Sequence, residues 1–299
     1  MNIFEKNIIQ LHQEKGRQWL ARLQHTIDCL TDKWTLSDVQ PVDNMTWHYV
    51  AFAKQNGQTP VVIKIGCDKA VSADEYRALK YFNGHGAIDV LDYDQKYSAL
   101  LLEQAVPGNL LIDERHNIES TISIYANTIN TLLQQKNVSD KFVHVSHWCR
   151  AIYRITDTRV DKKYVDLAQQ IRLFLLSSLK DEFVCHGDLH SENVIHHQDQ
   201  WIVIDPKGIV GEVAFEAAAF DLLSDDELKN ADNAPDLIFS RIKLLAEKLN
   251  IDQVRLLYWV FLRALISAQW FIEDGGDPSR MLLIANCLFS LVSKLIDEG

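Results

Sequence analysis

The sequence predicts an α+β chain in two lobes, a small strand-rich lobe over residues 1–104 and a larger helical lobe over 105–299. Three observations carry this. Strand-like runs crowd into the first third of the chain, helical apolar spacing dominates the remainder, and Pro107-Gly108 stands at the change-over. A length of 299 residues suits one large domain or two packed lobes.

Residues 3–33 have apolar positions at helical spacing, and Gly16 divides them into two short helices, the second through Trp19, Leu20, Leu23, Ile27 and Leu30. Strand-like runs follow near 34–42, at 48–54 and at 60–65. Asn56-Gly57 between the last two is a strong hairpin signal. A helical pattern through Tyr76, Leu79 and Phe82 begins at Ser72, and 87–93 and 98–104 read as further strands. Beyond Pro107, the spacing predicts helices at 117–136, 145–156 and 163–180, a hairpin of 194–197 with 201–204, and helices near 234–249, 251–272 and 278–297. No internal repeat or low-complexity segment occurs.

Composition narrows the function. The chain is 47% hydrophobic and 24% charged, ordinary for a soluble globular protein. The start lacks the basic head and apolar stretch of a signal peptide, and the longest apolar run, 256–272, is broken by Arg263 and Gln269, so a buried helix is expected rather than a span. Five cysteines with no CxxC pair suggest neither a disulfide framework nor a zinc site, and a reducing cytoplasm fits. The formal net charge of −11 disfavours nucleic acid and anionic membrane as partners and favours a cationic small molecule; no protein partner is indicated.

The chemistry concentrates in CHGDLHSENVIHHQDQWIVIDPKG, residues 185–208. Phosphoryl transfer needs a group that accepts the proton of the attacking hydroxyl and hard oxygen ligands for the nucleotide's Mg²⁺. Asp188 is placed on a loop following a helix. Asn193 comes five residues later, and Asp205 follows the hairpin, whose fold brings its two ends together. Asp188 is therefore the catalytic residue, facing the substrate, and Asn193 and Asp205 are the metal ligands. The spacing H-x-D-x-x-x-x-N, a hairpin, then I-D is the catalytic-loop pattern of kinases. The sequence departs from protein kinases in reading His186-Gly187-Asp188 for HRD and Asp205-Pro206-Lys207 for DFG, with no APE, which points to a small-molecule kinase. His186 reads as a loop-packing residue, as do His190, His196 and His197, since no HExxH helix is present. Lys207 suits either a phosphate contact or an ion pair.

On these residues, HGDLHSENVI (186–195) and IDPKG (204–208), with GRQWLARL (16–23), DKWTL (32–36) and RLLYWVFLRALISAQWFIEDG (255–275), the chain resembles the aminoglycoside phosphotransferase-like kinases, in the branch of streptomycin 6-kinases and aminoglycoside/hydroxyurea resistance kinases. The resemblance implies a two-lobed protein-kinase-like fold, ATP and Mg²⁺ as cofactors, and O-phosphorylation of a small cationic acceptor such as streptomycin. A sugar, an amino alcohol or hydroxyurea is the alternative acceptor, and a non-catalytic nucleotide-binding module the alternative class.

Lys64, alone in the apolar run Val61–Ile65, needs a charge partner. In kinases such a lysine holds the α and β phosphates and pairs with a helix carboxylate, for which Glu75 is the candidate; Ser72-x-x-Glu75 also reads as a capping box. There is no Gly-rich loop between the first two strands. Asn44 and Thr46 in the turn 42–47 are the candidate phosphate contacts, and the backbone of Glu103 and Ala105 is the implied adenine hinge, with the Glu103 side chain facing solvent. Carboxylates for a cationic acceptor are sought at Glu212, Glu216, Glu273 and Asp274, with Asp221 and Asp277 as further acids; Asp221 also suits a role in fixing the catalytic loop.

Overall fold

A computed structural model describes residues 2–134, 141–229 and 233–297. In chain order the elements are α1 (Ile3–Trp34), β1 (Leu36–Pro41), β2 (His48–Gln55), β3 (Thr59–Gly66), α2 (Lys69–Phe82), β4 (Val90–Asp94), β5 (Ala99–Glu103), β6 (Pro107–Leu110), α3 (Ile118–Leu132), β7 (Val143–His144), α4 (Val145–Trp148), α5 (Lys162–Ser177), β8 (Phe183–Cys185), β9 (Val194–His197), β10 (Gln200–Val203), β11 (Ile209–Gly211), α6 (Val213–Ala217), α7 (Asp225–Lys229), α8 (Ala234–Leu249), α9 (Gln253–Glu273) and α10 (Ser279–Asp297). They group into two compact units, Met1–Asn109 with His196–Lys207, and Leu110–Ile195 with Gly208–Gly299. The segment around β10 joins the first unit because Val203 exchanges backbone hydrogen bonds with Gly86 and Ile88.

The first unit is built on an antiparallel sheet in the order β1-β2-β3-β5-β4. Its central strand, β3, pairs along its length with β2 and β5, which aligns Lys64 with Val50 and Leu100. Side chains alternate across a strand, so Val61, Ile63 and Ile65 share one buried face and Lys64 lies on the other. The β2–β3 hairpin turns at Asn56-Gly57, where φ is +51° and +73°. α1 covers the first face with Phe4, Ile8, Leu30 and Trp34. The division of α1 falls at Gln13 (φ 50°, ψ −124°) rather than at Gly16. Gly16 remains helical, and its role is close approach: a Cβ there would lie 2.5 Å from the Ile8 carbonyl oxygen. α2 begins at Lys69, earlier than expected, because Asp68 caps it by accepting the Ala70 N–H.

In the second unit, α9 is a core helix, buried along most of its length, which accounts for its apolar composition. The expected helix 145–156 is one short α-turn, α4, continued as a 3-10 turn over Cys149–Arg154. A three-stranded sheet, β7-β11-β8, was not legible from periodicity, since each strand has only two or three residues. Between α6 and α7 the backbone is gripped by three arginines. Arg115 donates to the carbonyl of Asp221, Arg241 to that of Leu222 (2.6 Å) and Arg280 to that of Leu223 (2.6 Å). Arg241 also pairs with Glu227, and Arg280 with Asp225. Among the described residues all five cysteines are free.

Candidate active site

On the first unit, Lys64 stands between two carboxylates. Its Nζ lies 2.9 and 2.8 Å from the two oxygens of Glu75 on α2 and 2.7 Å from Asp205 Oδ1. Glu75 is buried and pairs with Lys64; the helix cap is Asp68, so the Ser72–Glu75 capping box does not form. Lys207 lies 3.1 Å from Asp205, so two lysines balance two acids. Burial by itself would lower the Lys64 ammonium, but Asp205 and Glu75 outweigh it and hold the pKa above its usual value. Asp205 is half-buried, which by itself would raise its carboxyl, yet Lys64 and Lys207 hold it well below the usual range. Its backbone is left-handed, with φ 61°, a conformation that Asp tolerates better than most residues. Nearby His48 at the start of β2 is pushed down to about 3 by burial and by Lys64, so it is neutral.

Asn44 and Thr46 occupy the exposed β1–β2 turn, where the Thr46 carbonyl accepts from Asn7 of α1. Glu103 ends β5, and its N–H donates to Asp89. Its side chain lies 3.4 Å from His197 Nε2, while His197 Nδ1 accepts the Val106 N–H. His197 thus packs the connection that follows Ala105.

On the second unit, the loop holding Asp188 follows strand β8 rather than a helix. Four contacts fix its backbone. His186, fully buried, accepts the Asp188 N–H on Nδ1 (3.2 Å). Asn193 donates its amide to the Asp188 carbonyl (2.8 Å) and contacts His190 Nε2 (3.0 Å). Asp221 accepts the Ser191 N–H (2.9 Å), and Tyr125 donates to the Leu189 carbonyl (2.6 Å). Gly187 has φ 90°, and a Cβ there would sit 2.8 Å from Ile209, so glycine is required on both grounds. Among the described residues no hydrogen bond or ion pair engages the Asp188 carboxylate.

Two acids assigned to the acceptor are instead structural. Glu216 is completely buried, and its oxygens accept the N–H groups of His186 (3.1 Å) and Gly187 (3.0 Å). Glu212, also buried, accepts from Arg255 (2.6 Å) and the Trp259 indole. Both lie inward because their partners are core groups. Glu273 stays at the surface but is paired with Arg154 (2.7 Å) and accepts from Gln269. Asp274 is exposed at the C-terminal end of α9. Glu216 is the residue that sequence reasoning misassigned most: its flanks, Ala214-Phe215 and Ala217-Ala218, marked it as buried, but a backbone partner thirty positions away leaves no trace in a sequence.

Residues 33–275 match the sequence profile of the aminoglycoside/hydroxyurea antibiotic resistance kinases. The chain belongs to that family. It is an O-phosphotransferase with a protein-kinase-like fold. It is 26% identical to a streptomycin 6-kinase of Streptomyces glaucescens over 90% of this chain and 91% of that protein, and 25% identical to a streptomycin 3''-kinase of Klebsiella pneumoniae over 81% and 91%. Among solved structures it resembles a thermostable mutant of aminoglycoside phosphotransferase APH(4)-Ia in ternary complex with AMP-PNP and hygromycin B, with a TM-score of 0.63 at 14% identity over 89% of this chain and 97% of that one.

Glu216→Gln tests whether its hold on the His186 and Gly187 N–H groups positions the Asp188 loop for reaction. An amide offers one acceptor where two N–H groups converge, so the loop shifts; kcat is expected to fall about tenfold or more, with the nucleotide KM little changed. Burial pushes the Glu216 carboxyl up to about 7, above its unfolded value of 4.5. The folded state therefore binds the extra proton between these pH values, and this stability is present below pH 4.5 and lost as pH rises through 7. His48 acts oppositely, contributing stability above pH 6.5 that is lost as pH falls toward 3. The two contributions oppose each other in the overlap, so the readout is a difference. The stability of the wild type relative to Glu216→Gln should drop by about 3 kcal/mol from pH 4.5 to above 7. A pH-independent difference in urea denaturation would remove the assignment.

Proposed function

We propose that this kinase transfers the γ-phosphoryl group of ATP, with Mg²⁺, to a hydroxyl of a small cationic aminoglycoside such as streptomycin. The observation that carries the reading is the Asp188 carboxylate, unengaged on a loop whose backbone is held at His186, Gly187, Asp188, Leu189 and Ser191. A general base must be fixed in place and free to take a proton, and this arrangement supplies both. Asp188 accepts the proton of the acceptor hydroxyl as its oxygen forms the new P–O bond and the β–γ bridge breaks, releasing ADP.

The donor set suits the nucleotide and its metal. Lys64, kept charged by its two carboxylates, fits contact with phosphate oxygens, and Lys207 adds a second cation. Asp205 is ionised, and the Asn193 amide nitrogen is fixed on Asp188 and His190, so its oxygen remains a ligand atom. Asp205 and Asn193 would hold Mg²⁺, which neutralises phosphate charge when bound. The backbone of Glu103 and Ala105 would meet the adenine, and Asn44 and Thr46 the phosphates. For the acceptor, Asp274 and the Arg154-paired Glu273 are the acids that remain at the surface among the four assigned.

Support for streptomycin comes from the two relatives that phosphorylate it, named for different hydroxyls. A hydroxyurea phosphotransferase of Kitasatospora aureofaciens, 24% identical, supports hydroxyurea as the second reading. ADP release with Mg-ATP and streptomycin, followed by mass spectrometry, decides between them. A product heavier by one phosphate is expected. No streptomycin turnover, with ADP release on hydroxyurea, would replace the first reading by the second.

A further inference from the structure

A cavity of about 80 Å³ lies within the second unit, between Ala218–Leu222 and the facing sides of α9 and α10. Its polar lining includes Asp221, Arg263, Ser267 and Arg280. Arg280 is committed to Asp225 and to the Leu223 carbonyl. Asp221 accepts the Ser191 N–H and lies 4.0 Å from Arg115, which offsets its charge.

Arg263 differs from these. It is only 7% exposed, and among the described residues it makes no hydrogen bond or ion pair; Nη1 is buried with no acceptor. Its guanidinium lies over Phe215 at 4.8 Å and near Trp148 at 5.9 Å. Ring faces favour a cation but accept none of the in-plane N–H groups. Glu216 feels the Arg263 charge, yet both its oxygens already hold backbone N–H groups. A guanidinium cannot shed its proton, so an unmatched buried one is costly unless an acceptor reaches it.

We propose that this cavity binds a small free oxyanion, of the size of inorganic phosphate or acetate, on the Arg263 guanidinium with Ser267 as a further donor. One water needs about 10–15 Å³ of such space, so the volume accommodates roughly five to eight water-sized groups, enough for phosphate or a carboxylate. Nη1 is closed off from water-sized space, so the remainder of the guanidinium would meet the anion, a charge-assisted contact that suits either one. The occupant would also bear on the reaction, because Asp221 in the cavity wall holds the Ser191 N–H of the catalytic loop.

The test titrates the intact kinase with phosphate, and separately with acetate, at constant ionic strength and with ADP and magnesium saturating the nucleotide side. Calorimetry is expected to show saturable binding of at least one anion. Arg263→Met, which keeps the apolar stem, should weaken it about tenfold or more, the loss of a charge-assisted hydrogen bond. Ser267→Leu should do the same by filling the cavity while leaving the guanidinium, which keeps the test decisive if the first variant fails to fold. Absence of saturable binding to the wild type, or undiminished affinity in Ser267→Leu, would overturn the proposal.

Discussion

Asp188→Ala is expected to lower kcat by about a thousandfold while leaving nucleotide affinity within a few-fold of wild type. The magnitude follows from the contribution of a positioned general base, about 10²–10⁴. The selectivity follows from the loop. His186 and Asn193 hold the Asp188 backbone, not its side chain, so truncation leaves the loop in place. The Asp188 carboxylate has no partner among the described residues that its removal would orphan, so stability should change little. Single-turnover rates with Mg-ATP and fluorescent-nucleotide titration separate the two effects. Retained turnover would remove Asp188 from the reaction, and a parallel collapse of nucleotide affinity would make it a structural residue.

Lys64→Met should have a double effect. Removing the ammonium leaves Glu75 buried without its partner and Asp205 with only Lys207. Breaking a buried pair typically costs about 3–5 kcal/mol, and the remaining Lys207 contact places this case at the lower end. Nucleotide affinity should fall about tenfold or more. The double variant Lys64→Met with Glu75→Met separates the causes: it should recover most of the stability, since no orphaned acid remains, and none of the affinity. Recovery of both would mean that Lys64 serves the fold alone, and an unaltered affinity in the single variant would dismiss its phosphate contact.

What could be read in advance followed physical locality. The Asn56-Gly57 hairpin, the two-residue alternation of β3 and the 3.6-residue pattern of α8 and α9 are properties of contiguous residues, and each element lies within a few positions of its expectation. The loop and hairpin that space Asp188, Asn193 and Asp205 were legible for a related reason, since both are short and contiguous. Roles set by distant partners were not. Glu212 and Glu216 share the acidic character that a cationic acceptor requires, and only the fold shows that one faces Arg255 and Trp259 and the other the backbone of His186 and Gly187. Gly16 was read as a breaker, yet the backbone reverses at Gln13 and glycine serves contact with Ile8. Strands of two or three residues, such as β7, β8 and β11, are too short for any periodicity to appear.

The three arginines that hold the carbonyls of Asp221, Leu222 and Leu223 have a further consequence for how such an enzyme can diversify. Every residue type has the same main-chain oxygen, so a grip on carbonyls does not depend on what the side chains are. Exchanges at 222 and 223 would leave these attachments in place, but both leucine side chains are buried, so packing admits only apolar replacements of similar volume. The carbonyl grip therefore fixes the path of the backbone at this stretch, while core packing limits which side chains can occupy it.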